Sequence, residues 1–577
     1  MIKELSELGN KKRTVSADAL QEEPVSIDLI VREDGSFHSF IPFEKKMTTA
    51  EAITAKKGKA RLLLDRAEEV LGYGNKSAKK HQLFMEKLEL YKDLPELAPV
   101  MAFYNNNREN GIEKALTEFE KTVPERERKG NIAFRIANED KRIHEKDEVY
   151  NKIISNYEKL QKDKISESKT VCAICGNDNY AIEEIHEKIK TVPPADDGKY
   201  GARALISYND DAYESYNLQR NKNSGICANC AKNYVEGLNW LLRHGPRVKN
   251  EKGKEYIAYT NRKNFGTDTA MVFWTRENAD LKEIDMLDNP DPQEVANLID
   301  SVLAGDTRAR YIQTDQFYTC TLSGSAARIS VRDWIETNLV KFKQSIAQWF
   351  KDIAIEYFNR DAKKTEIQYS RLYALAQSCQ RKEMSGTYDK KDVTSSRIAT
   401  YLWNSALKNT SPPLWILTAV LKRAQLDKYG ITPERAALIK LILNRNRKGG
   451  DFMVPAKLAE GDRPVAYVCG QIFAELETFQ WAALGKNLNA GIREKYFSFA
   501  LTTPSAAFGR LFNLHSKHFT KLKGEKPGLA IVLDRKLQEL CKDIKIECLP
   551  ATFTLEEQGQ FAIGYYHQKQ AHTAKPN

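Results

Sequence analysis

Read for the alternation of apolar and polar positions, the chain changes texture several times. Residues 26–43 alternate, with Ile27, Leu29 and Val31 before a Glu33-Asp34-Gly35 turn and Phe37 and Phe40 after it. That pattern predicts a β-hairpin. A helical run follows from Leu62 to Leu71. Residues 116–168 are dense in charge, and Ile143, Val149, Ile153, Tyr157 and Leu160 keep a rough helical period, predicting a long amphipathic helix. From 169 to 335, short β-rich runs at 270–274 and 316–322 lie between Gly, Asn and Asp clusters, as in a mixed α/β region. Beyond Asp333 helical periods dominate, with breaks at Ser411-Pro412-Pro413 and Lys448-Gly449-Gly450.

The last stretch carries the clearest helix signals. Pro464 begins a helix with Val468, Ile472, Leu476 and Phe479 on one face. Thr503-Pro504 reads as a cap followed by proline at the first helical position. Leu529, Val532, Leu533, Leu537 and Leu540 mark another helix, and Thr554-x-x-Glu557 is a capping box opening the last. The pattern therefore predicts a multidomain α+β chain in four parts. These are a basic N-terminal α/β region with a long helix (1–168), a mixed α/β domain with four paired cysteines (169–335), a helical connector (336–450) and an all-α C-terminal bundle (451–577).

Composition agrees with this division. A length of 577 residues, at about 150 per domain, gives three or four domains, and a hydrophobic fraction of 41% is enough for several cores. No stretch approaches the roughly 18 apolar residues of a membrane span, and Met1-Ile-Lys-Glu-Leu lacks a signal-peptide core. An intracellular, cytoplasmic protein with no membrane partner is expected. Lys and Arg exceed Asp and Glu by 11 (89 against 78), an excess that points to a polyanion only where it is concentrated.

The nine cysteines include two Cys-x-x-Cys pairs, Cys172/Cys175 and Cys227/Cys230, while Cys320, Cys379, Cys469, Cys541 and Cys548 are scattered. Paired thiols in an intracellular chain favour metal over a disulfide framework. Each Cys-x-x-Cys knuckle presents two thiolates to one ion, so two knuckles predict a structural four-cysteine Zn²⁺ site with no open coordination position. The 51 residues separating the knuckles exceed the roughly 15–20 of a compact site, so an insertion must loop out.

A histidine, His186, between the knuckles raises a rival. His-Asn-His endonucleases hold their catalytic loop with such a zinc, and His186 would be the general base. Ile185 stands where an acidic residue is usual, and no histidine follows Cys230 before His244. The second catalytic histidine is missing from its place. No Walker A loop, dinucleotide glycine fingerprint or His-Glu-x-x-His helix is present either.

The basic residues are more informative. Between Lys45 and Lys80 there are ten Lys/Arg against four Asp/Glu. Lys56, Lys57, Lys59 and Arg61 precede the Leu62–Leu71 run, and Asn75, Lys76, Lys79 and Lys80 follow it, in glycine-bearing turns suited to approaching phosphates. Arg510, Lys517 and Lys521 stand at offsets of seven and four, on one helix face with Lys523 close by. Phe508, Leu511, Phe512, His515, Phe519 and Leu522 occupy the other, where His515 reads as a core histidine. A basic stripe on an apolar backing is how a helix tracks a nucleic-acid backbone. A third cluster, Arg445, Arg447 and Lys448, follows Arg435 and Lys440.

Five ordered segments carry a resemblance. They are Cys175-Gly176 through Ile185-His186-Glu187-Lys188-Ile189-Lys190, then Ala204–Tyr216, Leu322-Ser323-Gly324 through Arg332, Arg435–Lys440 with Leu443-Asn444-Arg445-Asn446, and Leu555-Glu556-Glu557-Gln558 through Gly564-Tyr565-Tyr566-His567-Gln568. In these the chain resembles the large subunit of the type I-C CRISPR Cascade complex, from about residue 50 to the C-terminus. The first 25 residues do not resemble the usual family opening, and the full cysteine tetrad departs from the commoner family pattern; the tetrad reads as the mark of a zinc-bearing branch.

The resemblance implies a non-catalytic subunit of a guide RNA complex with repeated backbone subunits. Such a subunit recognises the protospacer-adjacent motif on double-stranded DNA, promotes R-loop opening, holds the displaced single-stranded DNA and helps recruit a helicase-nuclease. It also implies small helical subunits from an internal start, for which Met453 is placed. On this reading Lys56, Lys57, Lys59, Arg61, Asn75, Lys76, Lys79 and Lys80 are candidates for motif reading or duplex clamping, and Arg510, Lys517, Lys521 and Lys523 for guiding single-stranded DNA. The alternatives are a zinc-stabilised His-Asn-His-like endonuclease and a free-standing nucleic-acid-binding zinc protein.

Overall fold

The computed structural model describes the chain except for residues 14–18, 53–59, 76, 166–170, 179, 181, 184, 195–200, 209, 215, 278–280, 304–314, 360, 382–387, 389–393, 450, 486–489, 545–548 and 575–577. The fold is α+β. It divides into two compact units, the first made of residues 1–263, 268–272 and 320–334, the second of 264–267, 273–319 and 335–577.

The first unit opens with helix α1 (Ile2–Lys12) and the predicted hairpin, β1 (Leu20–Val31) and β2 (Phe37–Glu51). Its turn is built by Asp34, whose Oδ1 accepts from the Ser36 amide at 2.8 Å, and by Gly35 at φ +83°. Strands β3 (Leu64–Arg66) and β4 (Asn131–Ile136) complete a sheet of order β2-β1-β4-β3. Strand β1 pairs antiparallel with β2 and parallel with β4, so Leu29 lies opposite both Phe40 and Phe134. Ile27, Leu29 and Val31 are fully buried against Phe84 and Leu88 of α2 (Ala78–Glu89) and against Phe103 and Phe119. The predicted long helix is α3 (Asp147–Ile165), with Val149 and Ile153 in the same core.

The run from Leu62 to Leu71 corrects the sequence reading. Only Ala67–Val70 is helical, and residues 64–66 are β3, paired with the outer edge of β4. Leu62, Leu63 and Leu64 are all fully buried, so this short apolar run is wanted on both faces of the sheet margin. Periodicity does not separate such a run from a buried helix segment.

A short ladder, β5 (Ile189–Lys190) with β6 (Ala202–Arg203), lies in the cysteine-bearing region with helix α4 (Ala228–Arg243). Helices α1 and α4 approach through glycine: a Cβ at Gly9 would stand 1.8 Å from the Asn233 carbonyl oxygen, and one at Gly237 2.3 Å from that of Leu5. The predicted β-rich runs form a second sheet from β7 (Arg262–Phe265), β8 (Thr269–Thr275), β9 (Gln316–Ser325) and β10 (Arg328–Asn338), in the order β10-β9-β8-β7.

In the second unit, α5 (Leu339–Ile353) starts where Asn338 Oδ1 accepts the Lys341 amide at 2.8 Å. A hairpin, β11 (Ile355–Asn359) and β12 (Lys364–Gln368), interrupts the expected helical texture, turned by Asn359 Oδ1 accepting two backbone amides at 3.1 Å. Helices α6 (Thr394–Lys408), α7 (Trp415–Leu426) and α8 (Pro433–Asn446) follow, split by the predicted Pro412-Pro413 break.

The bundle comprises α9 (Val465–Leu484), α10 (Ile492–Thr502), α11 (Pro504–Glu525), α12 (Pro527–Lys542) and α13 (Leu555–Ala574). Val468, Ile472, Leu476 and Phe479 are buried as predicted. The capping box is present, with Thr554 and Glu557 each accepting the other's amide. Thr503 does not cap: its hydroxyl donates back to the Phe499 carbonyl at 3.1 Å, closing α10. Helices α9 and α13 touch backbone to backbone, since a Cβ at Gly470 or Gly564 would lie 2.0 Å from a carbonyl oxygen of the other helix. Around that contact Glu477 accepts from Tyr565 Oη at 2.8 Å and pairs with Lys569 at 3.1 Å, while Glu475 pairs with His572 at 2.7 Å.

Three histidines are buried beside hydroxyls: His144 at Thr48 (3.1 Å), His186 at Tyr234 (2.8 Å) and His567 at Tyr467 (2.7 Å). Burial pushes His144 and His186 down to about 4 and His567 to about 3, so all three fold neutral. Their folded values lie below the unfolded one. Their stability contribution is therefore complete above about pH 6.5 and lost as the pH falls toward 4. Denaturant titrations should lose about 1 kcal/mol per histidine between pH 7.5 and 5.5, and His567→Gln should flatten its share. Stability independent of pH across that window would contradict this.

Candidate nucleic-acid surfaces and four-cysteine centre

The two cysteine knuckles come together. The sulfurs of Cys172, Cys175, Cys227 and Cys230 all lie within 4.8 Å of one another, and Cys175 and Cys227 stand 3.9 Å apart. A tetrahedron of thiolates about 2.3 Å from one zinc ion has edges of about 3.8 Å. The first knuckle is a tight turn in which Gly176, at φ +74°, donates its amide to the Cys172 carbonyl at 2.9 Å. The second is the start of α4. Cys227 is the N-cap residue, its Sγ accepting the Cys230 amide at 3.4 Å, and its own amide donates to Cys172 Sγ at 3.5 Å. Hydrogen bonding from the Cys230 thiol and amide lowers the Cys227 thiol, the direction expected at a helix N-terminus.

The 51-residue excursion is tied back to this centre. Ala173 donates to the Gly225 carbonyl at 3.0 Å and Glu183 to that of Ile226 at 3.1 Å. Among the described residues, the tetrad is the one cluster of three or more His, Cys, Asp or Glu side chains with metal-binding spacing. His186 is 4% exposed, with Nδ1 on the fully buried Tyr234 hydroxyl. It is walled off from solvent, which does not suit a general base acting on a polymer.

In the N-terminal unit, Lys56, Lys57, Lys59 and Lys76 fall outside the described residues. The turn from Gly72 to Ser77 is held by the Ser77 hydroxyl, placed 2.6 Å from the Gly72 and Gly74 carbonyls, with positive φ at both glycines. Asn75 is presented outward beside exposed Lys79. Lys80 pairs with Glu68 and with Glu69 at 3.4 Å. Arg61 bonds Glu23 at 2.7 Å, while its buried Nε has no hydrogen-bond partner among the described residues. It lines a cleft of about 540 Å³ with Lys45, Arg66, Lys129, Asp65 and Glu69. Burial, and then Asp65, raise the Glu69 carboxyl.

Helix α11 has the two predicted faces. Phe508, Leu511 and Leu522 are buried, with Phe512 and Phe519 partly so. Arg510, Lys517, Lys521 and Lys523 are exposed. Arg510 lies over the Phe499 ring at 5.4 Å, Lys523 over Phe519 at 5.7 Å, and Lys521 stands 3.9 Å from Glu525. His515 packs edge-on to Phe479 and bonds Asp534 at 3.2 Å.

The third cluster divides. Arg447 and Lys448 are exposed, whereas Arg445 points inward, bonded to Asp352 at 2.6 Å and to the Ser405 and Thr410 carbonyls at 2.7 and 2.9 Å. Arg445 therefore leaves the set of nucleic-acid candidates. Lys440 likewise caps the end of α5, donating to the carbonyls of Lys351 (3.0 Å) and Asp352 (2.7 Å), and burial lowers it to about 8. Arg435 bonds the Ser378 carbonyl at 3.0 Å and also binds Asp427. Asn444 pairs both ways with the Val454 backbone, at 2.8 and 2.9 Å, fastening the segment that holds exposed Met453.

Sequence reading missed one surface, the exposed Tyr401 and Trp415 on α6 and α7. Its signal was the absence of any Asp or Glu from 393 to 426.

No helix among the described residues is long and apolar enough to cross a membrane. No curated protein matches the chain. A protein-family model does: described as CRISPR-associated protein (Cas_Csd1), it matches residues 3–573. The chain belongs to that family, the Cascade large subunits its ordered motifs resemble.

Proposed function

We propose that this chain is a non-catalytic DNA-recognition subunit of a type I-C RNA-guided complex. In this role it reads the protospacer-adjacent motif on duplex DNA, promotes R-loop opening, holds the displaced strand and helps recruit a helicase-nuclease. The observation that carries the reading is the family match over residues 3–573. In RNA-guided systems base pairing reads the target, and protein needs to read only a short motif and hold backbone. Asn75, exposed before the Ser77-held start of α2, and Lys79, exposed in the first turn of that helix, are our candidates for the duplex. Lys56, Lys57, Lys59, Lys76 and Lys80 belong to the same basic segment. Asparagine and lysine both suit acceptors at base edges, and lysine also suits phosphate. Arg510, Lys517, Lys521 and Lys523 are candidates for the displaced strand, with Arg447 and Lys448 as further phosphate contacts.

The four cysteines hold a structural Zn²⁺ in this reading, supported by the convergence of their sulfurs. Repeated backbone subunits and guide RNA are the assembly partners. Small helical subunits would start at Met453, ahead of the first bundle helix.

Two measurements follow. Metal analysis of the purified chain should give about one zinc per molecule, lost in Cys227→Ser/Cys230→Ser, with a lowered melting midpoint. A metal-free wild-type protein would remove the zinc. Replacing Lys517 and Lys521 by alanine should weaken single-stranded DNA binding for all sequences alike. It should also flatten the slope of log K against log salt by about 1.4. An unchanged slope would remove the stripe.

A further inference from the structure

Helices α6 and α7 carry a surface that neither the cysteine centre nor the basic helix accounts for. From 393 to 426 the chain has four Lys/Arg and no Asp/Glu, although acidic residues number 78 in 577. On α6 the solvent-facing positions are Arg397, Tyr401 and Lys408, and on α7 they are Trp415, Thr418, Lys422 and Leu426. Each set follows the spacing of one helix face. The two faces adjoin. The rings of Tyr401 and Trp415 meet edge to face with centroids 5.7 Å apart, and the Arg397 guanidinium lies over the Trp415 ring at 5.5 Å. Tyr401 is 37% exposed and Trp415 39%.

Exposed Arg447 and Lys448 extend this surface. The loop before α7 is bonded to the end of α8, through Asn446 Nδ2 to the Pro412 carbonyl at 3.3 Å and the Ser411 hydroxyl to that of Arg445. Two large aromatics kept in water by a folded chain are costly, and the buried sides of both helices show that apolar residues here had a core to enter. With Arg397 over the Trp415 ring, and on two helices that carry exposed lysines and no carboxylate, they fit a ligand that is at once flat, apolar on its faces and anionic. Single-stranded nucleic acid has that chemistry, because its unpaired bases stack on aromatic and guanidinium planes while its phosphates meet the cations.

We infer that Arg397, Tyr401 and Trp415 form a stacking platform for single-stranded nucleic acid, with Lys408, Lys422, Arg447 and Lys448 as its phosphate contacts. This rests on the proposed holding of displaced DNA and names a place for it separate from the α11 stripe. The test uses the full-length chain and an oligothymidylate carrying one 2-aminopurine, with no guide complex present. Wild type should quench the 2-aminopurine on binding. Tyr401→Ala and Trp415→Ala should each weaken binding about fivefold or more and reduce the quench, leaving the salt slope unchanged. Trp415→Phe and Tyr401→Phe, which keep a ring and guard against misfolding, should stay within about twofold of wild type. Wild-type affinity and quench in the alanine variants, an equal loss in the phenylalanine variants, or no quenching by wild type would each overturn the platform. Failure of the chain to join a guide RNA complex would instead count against the family role, and the oligonucleotide assay does not depend on it.

Discussion

The convergence of four thiols at the first turn of α4 is the constraint on which the N-terminal unit depends. Two knuckles with 51 residues between them have no local reason to meet, so contacts distant in sequence hold them together: the Ala173 and Glu183 amides on the Gly225 and Ile226 carbonyls, the Cys227 amide on Cys172 Sγ and, in the proposed reading, one metal ion on the four sulfurs. Once the start of α4 is fixed, that helix acts as a post. Gly9 and Gly237 let α1 lie on it at backbone distance, and Lys232 donates to the Leu20 carbonyl at the start of β1 at 2.5 Å. Asn239 accepts the Lys190 amide from β5 at 2.8 Å, and Arg262 donates to the Leu242 carbonyl at 3.0 Å. A shift of α4 by one turn would break all four attachments together.

The second unit uses charge where the first uses sulfur. Arg435, Lys440 and Arg445 are turned inward and satisfy carbonyl oxygens at the ends of helices and loops, groups that would otherwise be buried without partners. Arg445 does so only with Asp352 beside it, since a buried guanidinium without its carboxylate is strongly unfavourable. The cations on α11 and along α6 and α7 instead face solvent. The basic residues behind a net charge of +11 therefore divide into an interior share that organises the fold and an exterior share that faces solvent.

Local patterns were legible in the sequence because their causes are local. The Asp34-Gly35 turn, the α3 period, the Thr554–Glu557 box and the buried face of α9 each depend on residues within a few positions. The cysteine tetrad was legible through spacing alone. Features that depend on distant partners were not. Leu62–Leu64 became a sheet margin because β4 is there to pair with β3. Arg445 became structural because Asp352 lies 93 residues earlier in the chain. The β11–β12 hairpin hides in charged residues whose turn rests on the single Asn359 side chain. The motif Gly564-Tyr565-Tyr566-His567-Gln568 carried the family resemblance, and its physical basis is now visible in contact with α9. Gly564 admits the Tyr467 backbone, Tyr565 binds Glu477, and His567 meets the Tyr467 hydroxyl.

In the proposed function this chain reads duplex DNA for a guide RNA complex and performs no chemistry on it. The most direct measurement reconstitutes the chain with repeated backbone subunits and guide RNA and compares binding of two target duplexes that differ only in the short flanking motif. The expected result is tight binding of one duplex alone, dependence of that preference on Asn75 and Lys79, and both DNA strands recovered intact. Equal binding of the two duplexes, or strand cleavage by the purified chain, would contradict it.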